Sequence, residues 1–249
     1  MNDDDYHAQA KPVVFVVDDD VSVRESLELL IRHAGWQAET FASAPDFLCR
    51  QRVLVPHCLV LDVSLPDISG LDLQERISVD PMDMPIIFIT GYGDVATTVK
   101  AMKAGAVEFL TKPFRGETLL SAIGYAIERS RALLASAAEM ASLRKRYASL
   151  SRRESEVMAL VVSGRLNKRV ASELGITEIT VKAHRGKVMR KMNAASLADL
   201  VRMAATLGIV PDRNGWAPVP GARHPRHTQR ACGNDRLAAS DGVALTHRC

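Results

Sequence analysis

Short runs of apolar and β-branched residues alternate with longer segments of helical periodicity along the first part of the chain. The runs are 13–17, 38–41, 58–61, 86–89 and 107–110. Between them, apolar residues recur three or four positions apart, as in the groups Val23, Leu27, Leu30 and Ile31, and Val95, Val99 and Met102. This alternation is typical of βαβ units, and runs that are apolar throughout indicate strands buried on both faces. We therefore predict an α/β domain with a five-stranded, doubly wound parallel sheet over residues 12–128.

The next segment has the composition of a single long helix. Residues 117–148 contain no proline and only one glycine, Gly124, and an apolar stripe runs from Leu119 to Leu134. We predict one helix that leaves the sheet domain, with residues 129–148 as a helical linker. Because the stripe thins after Leu134, we expect the distal part of this helix to be solvated.

Residues 149–210 carry only helical patterns. Side chains that can bind the free amide groups of a first helical turn recur there, as do glycines that can end a helix: Ser151 with Glu154, Ser196 with Asp199, Asn167, Thr177, Gly164 and Gly175. They predict an all-α domain of four short helices, over residues 152–163, 167–174, 178–192 and 197–207. Residues 1–11 are then an N-terminal extension. Residues 211–249, rich in Pro, Gly, Arg and His without periodicity, are predicted to be a disordered tail.

The bulk composition favours a soluble protein with two domains. At 249 residues and 47% hydrophobic content the chain can bury more than one core. No apolar run approaches the roughly 20 residues that span a bilayer, and the acidic start lacks the basic flank of a secretory signal. The four cysteines have neither zinc-site nor disulfide-framework spacing. We expect reduced cysteines, a cytoplasmic location and no membrane partner.

The net charge of +3 conceals two halves of opposite sign. Residues 1–116 hold ten lysines and arginines against eighteen aspartates and glutamates, a net charge of −8. Residues 149–210 hold eleven against five, a net charge of +6. Because a phosphate backbone repels the acidic half, only the basic half is suited to binding a polyanion.

Chemically active side chains follow four of the predicted strands. The first run ends in Asp18, Asp19 and Asp20, the third in Asp62 and the fourth in Thr90, and Lys112 lies two residues after the fifth. Ligands of an open α/β sheet bind outside the carboxyl ends of its strands, so these groups are expected to converge. Gathered carboxylates repel one another unless a cation is present, and oxygen ligands favour Mg²⁺. Such a site suits phosphoryl transfer to Asp62.

A simpler interpretation applies to each of these residues alone. An aspartate after a strand is usually the N-cap of the next helix, and Asp20 fits that role. A Lys-Pro pair is usually a turn. Four strand ends carry the required groups in the required order, however, so these separate explanations do not account for the whole set.

Four segments resemble the receiver domains of two-component signalling: 16–20, Leu61-Asp62 with Pro66 and Gly70, 89–94 and 109–114. The resemblance spans residues 11–129 and implies that a sensor histidine kinase phosphorylates Asp62. It implies that Mg²⁺ is held by Asp19, Asp62 and the carbonyl of Ser64, with Asp18 contributing through water. It further implies that Lys112 stabilises the phosphoryl group, that Thr90 and Phe109 form a switch pair, and that the Lys112–Pro113 bond is cis.

The third predicted helix of the C-terminal domain is basic and amphipathic, which also suits a solvated face or a membrane surface. Its place after a short helix and Gly175 makes it a helix-turn-helix candidate. The segments 150–154, 167–168, 174–176, 180–182 and His184 resemble the LuxR-type DNA-binding domain. By that resemblance Lys182, Ala183 and Gly186 face base edges. Positions near phosphates are implied for Lys168, Thr177, Arg185 and Arg190, and Thr180 is also assigned to the DNA-binding residues.

The domain order resembles the NarL/FixJ family, and within it the FixJ branch. This implies a transcriptional regulator that dimerises on phosphorylation through a face near Val99 and Lys103, binds promoter DNA and works with RNA polymerase. Two alternatives stay open. Phosphatases of the haloacid-dehalogenase type share the Asp, Thr, Lys and Mg²⁺, but they carry a second Asp where this chain has Ser64. An adaptor that is never phosphorylated would not need the complete acidic site.

Overall fold

The computed structural model describes residues 11–51, 53–77 and 84–209. The predicted extension, except for Lys11, and the predicted tail lie outside this part of the chain. The first domain holds five parallel strands in the order β2-β1-β3-β4-β5. They are β1 Val13–Val17, β2 Gln37–Phe41, β3 His57–Asp62, β4 Ile86–Thr90 and β5 Glu108–Thr111. The predicted five-stranded parallel sheet is confirmed.

Helices cover both faces of the sheet, as its buried strands require. They are α1 Val21–His33, α2 Ala44–Leu48, α3 Gly70–Ile77, α4 Val95–Lys103 and α5 Gly116–Ala148. Alternate residues of β1 enter different cores: Phe15 packs with Phe47 and Phe88, whereas Val14 and Val16 pack with residues of α1 and α5. This arrangement leaves the carboxyl ends of the strands open at one edge.

The long helix α5 belongs to two cores. Its first turns bury Leu119, Ile123 and Ile127 against the sheet. Most side chains of residues 131–142 are exposed, as the thinning stripe predicts. Near its end Leu143 is buried again, in a core with Met158, Val188 and other residues of the C-terminal helices.

The C-terminal region forms the four predicted helices, α6 Arg152–Val162, α7 Asn167–Leu174, α8 Glu178–Met192 and α9 Leu197–Thr206. Ser151 and Glu154 make the predicted reciprocal capping box. One prediction was wrong: the N-cap of α7 is Leu166, which provides no side-chain cap. Asn167 is the first helical residue, and its Oδ1 lies 3.4 Å from Nη1 of Arg185 instead.

The second capping box is only half formed. The Ser196 hydroxyl accepts the N–H of Asp199, but the Asp199 carboxylate accepts the N–H of Ala195 rather than that of Ser196.

No helix among the described residues is both long and apolar enough to span a bilayer.

Candidate functional site

Three carboxylates meet at the carboxyl edge of the sheet. Asp18 and Asp19 follow β1 and Asp62 ends β3, and one oxygen from each lies within 4.8 Å of the others. Asp18 is fully buried and Asp62 is 6% exposed, whereas Asp19 faces solvent. An oxygen-only donor set of this size suits a hard divalent cation such as Mg²⁺.

Lys112 joins the two buried carboxylates. Its Nζ donates to Oδ2 of Asp18 and to Oδ2 of Asp62, both at 2.7 Å. The peptide bond from Lys112 to Pro113 is cis, as the resemblance implies. The lysine charge therefore lies between the two buried carboxylates.

Burial and ion pairing oppose each other at this site. Burial raises the pKa of Asp18 above its ordinary value, although hydrogen bonds from Lys112 and from the Asp20 N–H act against the increase. For Lys112 burial alone would lower the pKa, but its hydrogen bonds to Asp18 and Asp62 raise it overall. Lys112 is therefore cationic at neutral pH.

The polar residue of β4 is not engaged with the carboxylates. Thr90 is fully buried, and its hydroxyl accepts the Tyr92 N–H and donates to the Tyr92 carbonyl, both at 3.1 Å. Phe109 is half-buried, with its ring centroid 6.1 Å from that of Phe88. Both predicted switch residues thus lie near the end of the sheet, with Thr90 held by a local turn.

The backbone around the carboxylates is held by three further hydrogen bonds. The Ser64 N–H donates to Oδ1 of Asp62 at 2.9 Å. Arg24, on α1, donates through Nη1 to the carbonyls of Asp18 and Asp19, at 2.7 and 2.9 Å. Arg24 was not among the predicted site residues, because a single arginine on a helix carries no distinctive sequence pattern.

The exposed face of α8 is basic, and its opposite face is core. Val181, Val188 and Met192 are buried, as predicted. Lys182, Ala183, Gly186 and Arg190 are exposed, and Lys168 is exposed at the start of α7. The remaining predicted contacts lie at the edge of this surface: Thr177 caps α8 by accepting the Thr180 N–H, and Arg185 is half-buried.

Comparison with known proteins agrees with both predicted domains. Residues 14–124 match the response regulator receiver domain, and residues 148–204 match the luxR family of bacterial regulatory proteins. Nodulation protein W of Bradyrhizobium diazoefficiens is 52% identical over 81% of this chain and 89% of its own length. Transcriptional regulatory protein FixJ of Azorhizobium caulinodans is 41% identical over 80% of this chain and 94% of its own. The chain belongs to the NarL/FixJ family of response regulators.

A solved structure extends the agreement to both domains. The response regulator StyR is 46% identical, with a TM-score of 0.71 over 79% of this chain and 99% of its own. The predicted family, fold class and general function are therefore confirmed: this response regulator couples a receiver to a LuxR-type DNA-binding domain and controls transcription.

The response regulator also exposes an apolar surface on α4. Val95, Val99 and Met102, which indicated a helix by their spacing, are 81%, 44% and 42% exposed, and Ala101 is the buried residue of α4. Tyr92, just before α4, is 90% exposed. The stripe thus predicted the helix correctly, but among the described residues it packs on neither core of the sheet domain.

Proposed function

We propose that Asp62 accepts a phosphoryl group from a sensor histidine kinase, and that the phosphorylated chain dimerises and binds promoter DNA. The contact that supports Asp62 as the acceptor is its 2.7 Å ion pair with Lys112 inside the cluster of three carboxylates. The receiver, linker and DNA-binding domain are proposed as residues 12–128, 129–148 and 149–210.

The transfer needs one new bond at Asp62. A carboxylate oxygen forms a P–O bond as the P–N bond of the kinase phosphohistidine breaks, and the departing imidazole takes up a proton. Lys112 then donates to the phosphoryl oxygens, and the Ser64 N–H that now binds Oδ1 of Asp62 is available to them. Asp19, Asp62 and the Ser64 carbonyl would hold Mg²⁺, with Asp18 acting through water. An ion held there would neutralise charge on the transferring group.

The response proposed for the switch pair starts from the hydrogen bonds of Thr90. Its hydroxyl exchanges the Tyr92 backbone for a phosphoryl oxygen, and Phe109 moves inward. The neighbouring α4 carries the proposed dimerisation face. Val99 and Lys103 are exposed there, beside the exposed apolar residues Val95 and Met102. Association of two copies at this face would cover apolar surface that water now contacts.

The DNA contacts proposed are those that the exposed basic surface supports. Lys182, Ala183 and Gly186 face base edges, while Lys168, Thr177, Thr180, Arg185 and Arg190 contact or approach phosphates. Dimerisation places two such modules on paired half-sites, which raises their joint affinity through effective concentration. RNA polymerase is the proposed partner at the promoter.

Phosphorylation can be tested with acetyl phosphate and Mg²⁺ on the full chain, followed by mass spectrometry. We expect one phosphoryl group on the wild type and none on Asp62→Asn. Asp67→Asn, an exposed aspartate five residues away, is the matched control and should still be modified. A mass gain that persists in Asp62→Asn would contradict the assignment of the acceptor.

The hydrolase alternative is less well supported. Ser64 cannot act as the second acid that such phosphatases place two residues after the nucleophile, and the family of this chain comprises transcriptional regulators. We propose no enzymatic role.

A further inference from the structure

A large apolar side chain projects into solvent at the start of α8. Ile179 is 80% exposed, whereas the other branched aliphatic residues of this helix, Val181 and Val188, are 0% and 1% exposed. None of the DNA contacts proposed above involves Ile179. An exposed isoleucine on a helix whose valines face a core is available to bind something outside the chain.

The position of Ile179 on the helix identifies the surface to which it belongs. Ile179, Ala183, Gly186 and Arg190 are spaced by four, three and four residues, so they lie along one face. All four are exposed, and Ala183 and Gly186 are proposed to face base edges. Ile179 therefore extends the base-facing surface by one turn toward the helix N-terminus.

This first turn is the part of a recognition helix that enters the major groove most directly. The N-cap of α8 is Thr177, whose hydroxyl accepts the Thr180 N–H at 3.2 Å and fixes the turn that carries Ile179. Farther along the same face Gly186 has no side chain, and open space surrounds the position that a Cβ would occupy there. Ile179 is thus the bulkiest apolar group on this face of α8.

Its chemistry limits what Ile179 can recognise. It has no hydrogen-bonding group, and the only apolar group on the major-groove edge of the bases is the 5-methyl group of thymine. A β-branched side chain has few rotamers in a helix, so ordering it on DNA costs little entropy. We infer that Ile179 contacts a thymine methyl group in the major groove and sets a preference for thymine in each half-site.

This inference rests on the proposed DNA contacts, and its test does not require a known promoter. The full chain would first be treated with acetyl phosphate and Mg²⁺. The duplexes that it binds would then be selected from a random library. Each thymine of the selected site would then be replaced in turn by deoxyuridine, which removes only the methyl group. At one thymine per half-site the wild type should lose about fourfold in affinity, the effect of one buried methyl group.

Three variants test whether the sensitivity to the methyl group comes from Ile179 or from a neighbouring residue. Ile179→Ala should bind the parent duplex about as weakly as the wild type binds the uracil duplex, and it should be insensitive to that methyl group. Ile179→Val should keep most of the sensitivity. Leu166→Ala removes an equally exposed side chain, 79% exposed at the start of α7, and should keep the full sensitivity.

Two results would overturn the inference in distinguishable ways. If Ile179→Ala loses affinity at the same uracil as the wild type, another residue such as Ala183 contacts the methyl group. If no uracil substitution affects the wild type, Ile179 faces a protein surface or solvent instead. Failure of the wild type to enrich any sequence would refute the proposed DNA contacts, and with them this inference.

Discussion

The acidic site and the exposed face of α8 are both candidate functional surfaces, but they are built in opposite ways. In the acidic site, side chains from three strand ends contact one another, with Lys112 2.7 Å from both Asp18 and Asp62. On α8, Lys182, Ala183 and Gly186 are exposed along one face. In the proposed function the first site would enclose a small anion and a metal ion, whereas the second would remain open to a large polyanion.

This difference determines what a substitution does. In the acidic site each side chain neutralises or orients another, so its loss leaves a buried charge without a partner. On α8 the partner is DNA, so the loss of a side chain changes recognition and leaves the fold intact. Matched substitutions at the two sites therefore test whether the two surfaces depend on different contacts.

The largest effect is expected from Lys112→Met. The rate of phosphorylation by acetyl phosphate should fall by about 100- to 1,000-fold, because the developing charge loses its cationic donor. Without Mg²⁺ the free energy of unfolding should also fall by about 2 kcal/mol, because Asp18 and Asp62 lose their shared cation. Time courses of phosphorylation, quenched at intervals, measure the change in rate. Urea unfolding with and without Mg²⁺ measures the change in stability.

Lys182→Met is the matched change on α8. It should leave the free energy of unfolding within about 0.5 kcal/mol of the wild type and weaken DNA binding. Equal stability losses in the two variants would show that the two surfaces are not built differently.

An effect on stability alone is expected where the linker helix enters the C-terminal core. Leu143 is 6% exposed and packs with Met158 and Val188. Leu143→Ala should destabilise the C-terminal domain by about 3 kcal/mol, measured by urea unfolding, because it leaves a cavity. Leu133→Ala, 37% exposed on the same helix, should cost less than about 1 kcal/mol.

The same core provides a test of the proposed boundary at residue 149. A fragment that begins there lacks Leu143 and the partly buried Tyr147, which packs on the same cluster. We expect a fragment from residue 139 to unfold at higher urea concentration than one from residue 149. Equal midpoints would show that the last turns of α5 contribute nothing to this core.

The acidic site could be predicted from the sequence because strand ends are easy to locate. Parallel strands place their carboxyl ends on one edge, so Asp18, Asp62 and Lys112 converge whatever the details of the helices between them. Arg24 was missed because its role depends on the direction of one long side chain toward two backbone carbonyls. The spacing of residues along the sequence does not reveal such contacts.

Exposure was harder to predict than secondary structure. The spacing of Val95, Val99 and Met102 predicted a helix, but the side that packs on the sheet is marked by Ala101. Ile179 was not among the predicted DNA contacts, although its spacing places it on the same face of α8 as Ala183 and Gly186. Asn167 was assigned as an N-cap because of its residue type, whereas the chain enters α7 one residue earlier, at Leu166.

The smallest effect concerns an ion pair that anchors α8 to the rest of its domain. Glu154 is 4% exposed, and its Oε2 accepts hydrogen bonds from Lys191 at 2.6 Å and from the Ser151 N–H at 2.7 Å. These bonds lower the pKa of Glu154 from 4.5 to about 2. A carboxyl group with a lowered pKa stabilises the fold above its unfolded pKa, and this stability is lost as pH falls through the folded pKa.

The loss for Glu154 should therefore occur between about pH 5 and pH 2. Since the Lys191 side chain is 40% exposed, water screens the pair, and we expect a contribution of about 1 kcal/mol. Urea midpoints of the C-terminal domain across this range should fall less steeply in Glu154→Gln than in the wild type. Glu156→Gln, which removes a surface carboxylate 2.7 Å from Arg153, should change the slope less. If Glu154→Gln follows the wild-type slope, the ion pair with Lys191 contributes no pH-dependent stability to the anchoring of α8.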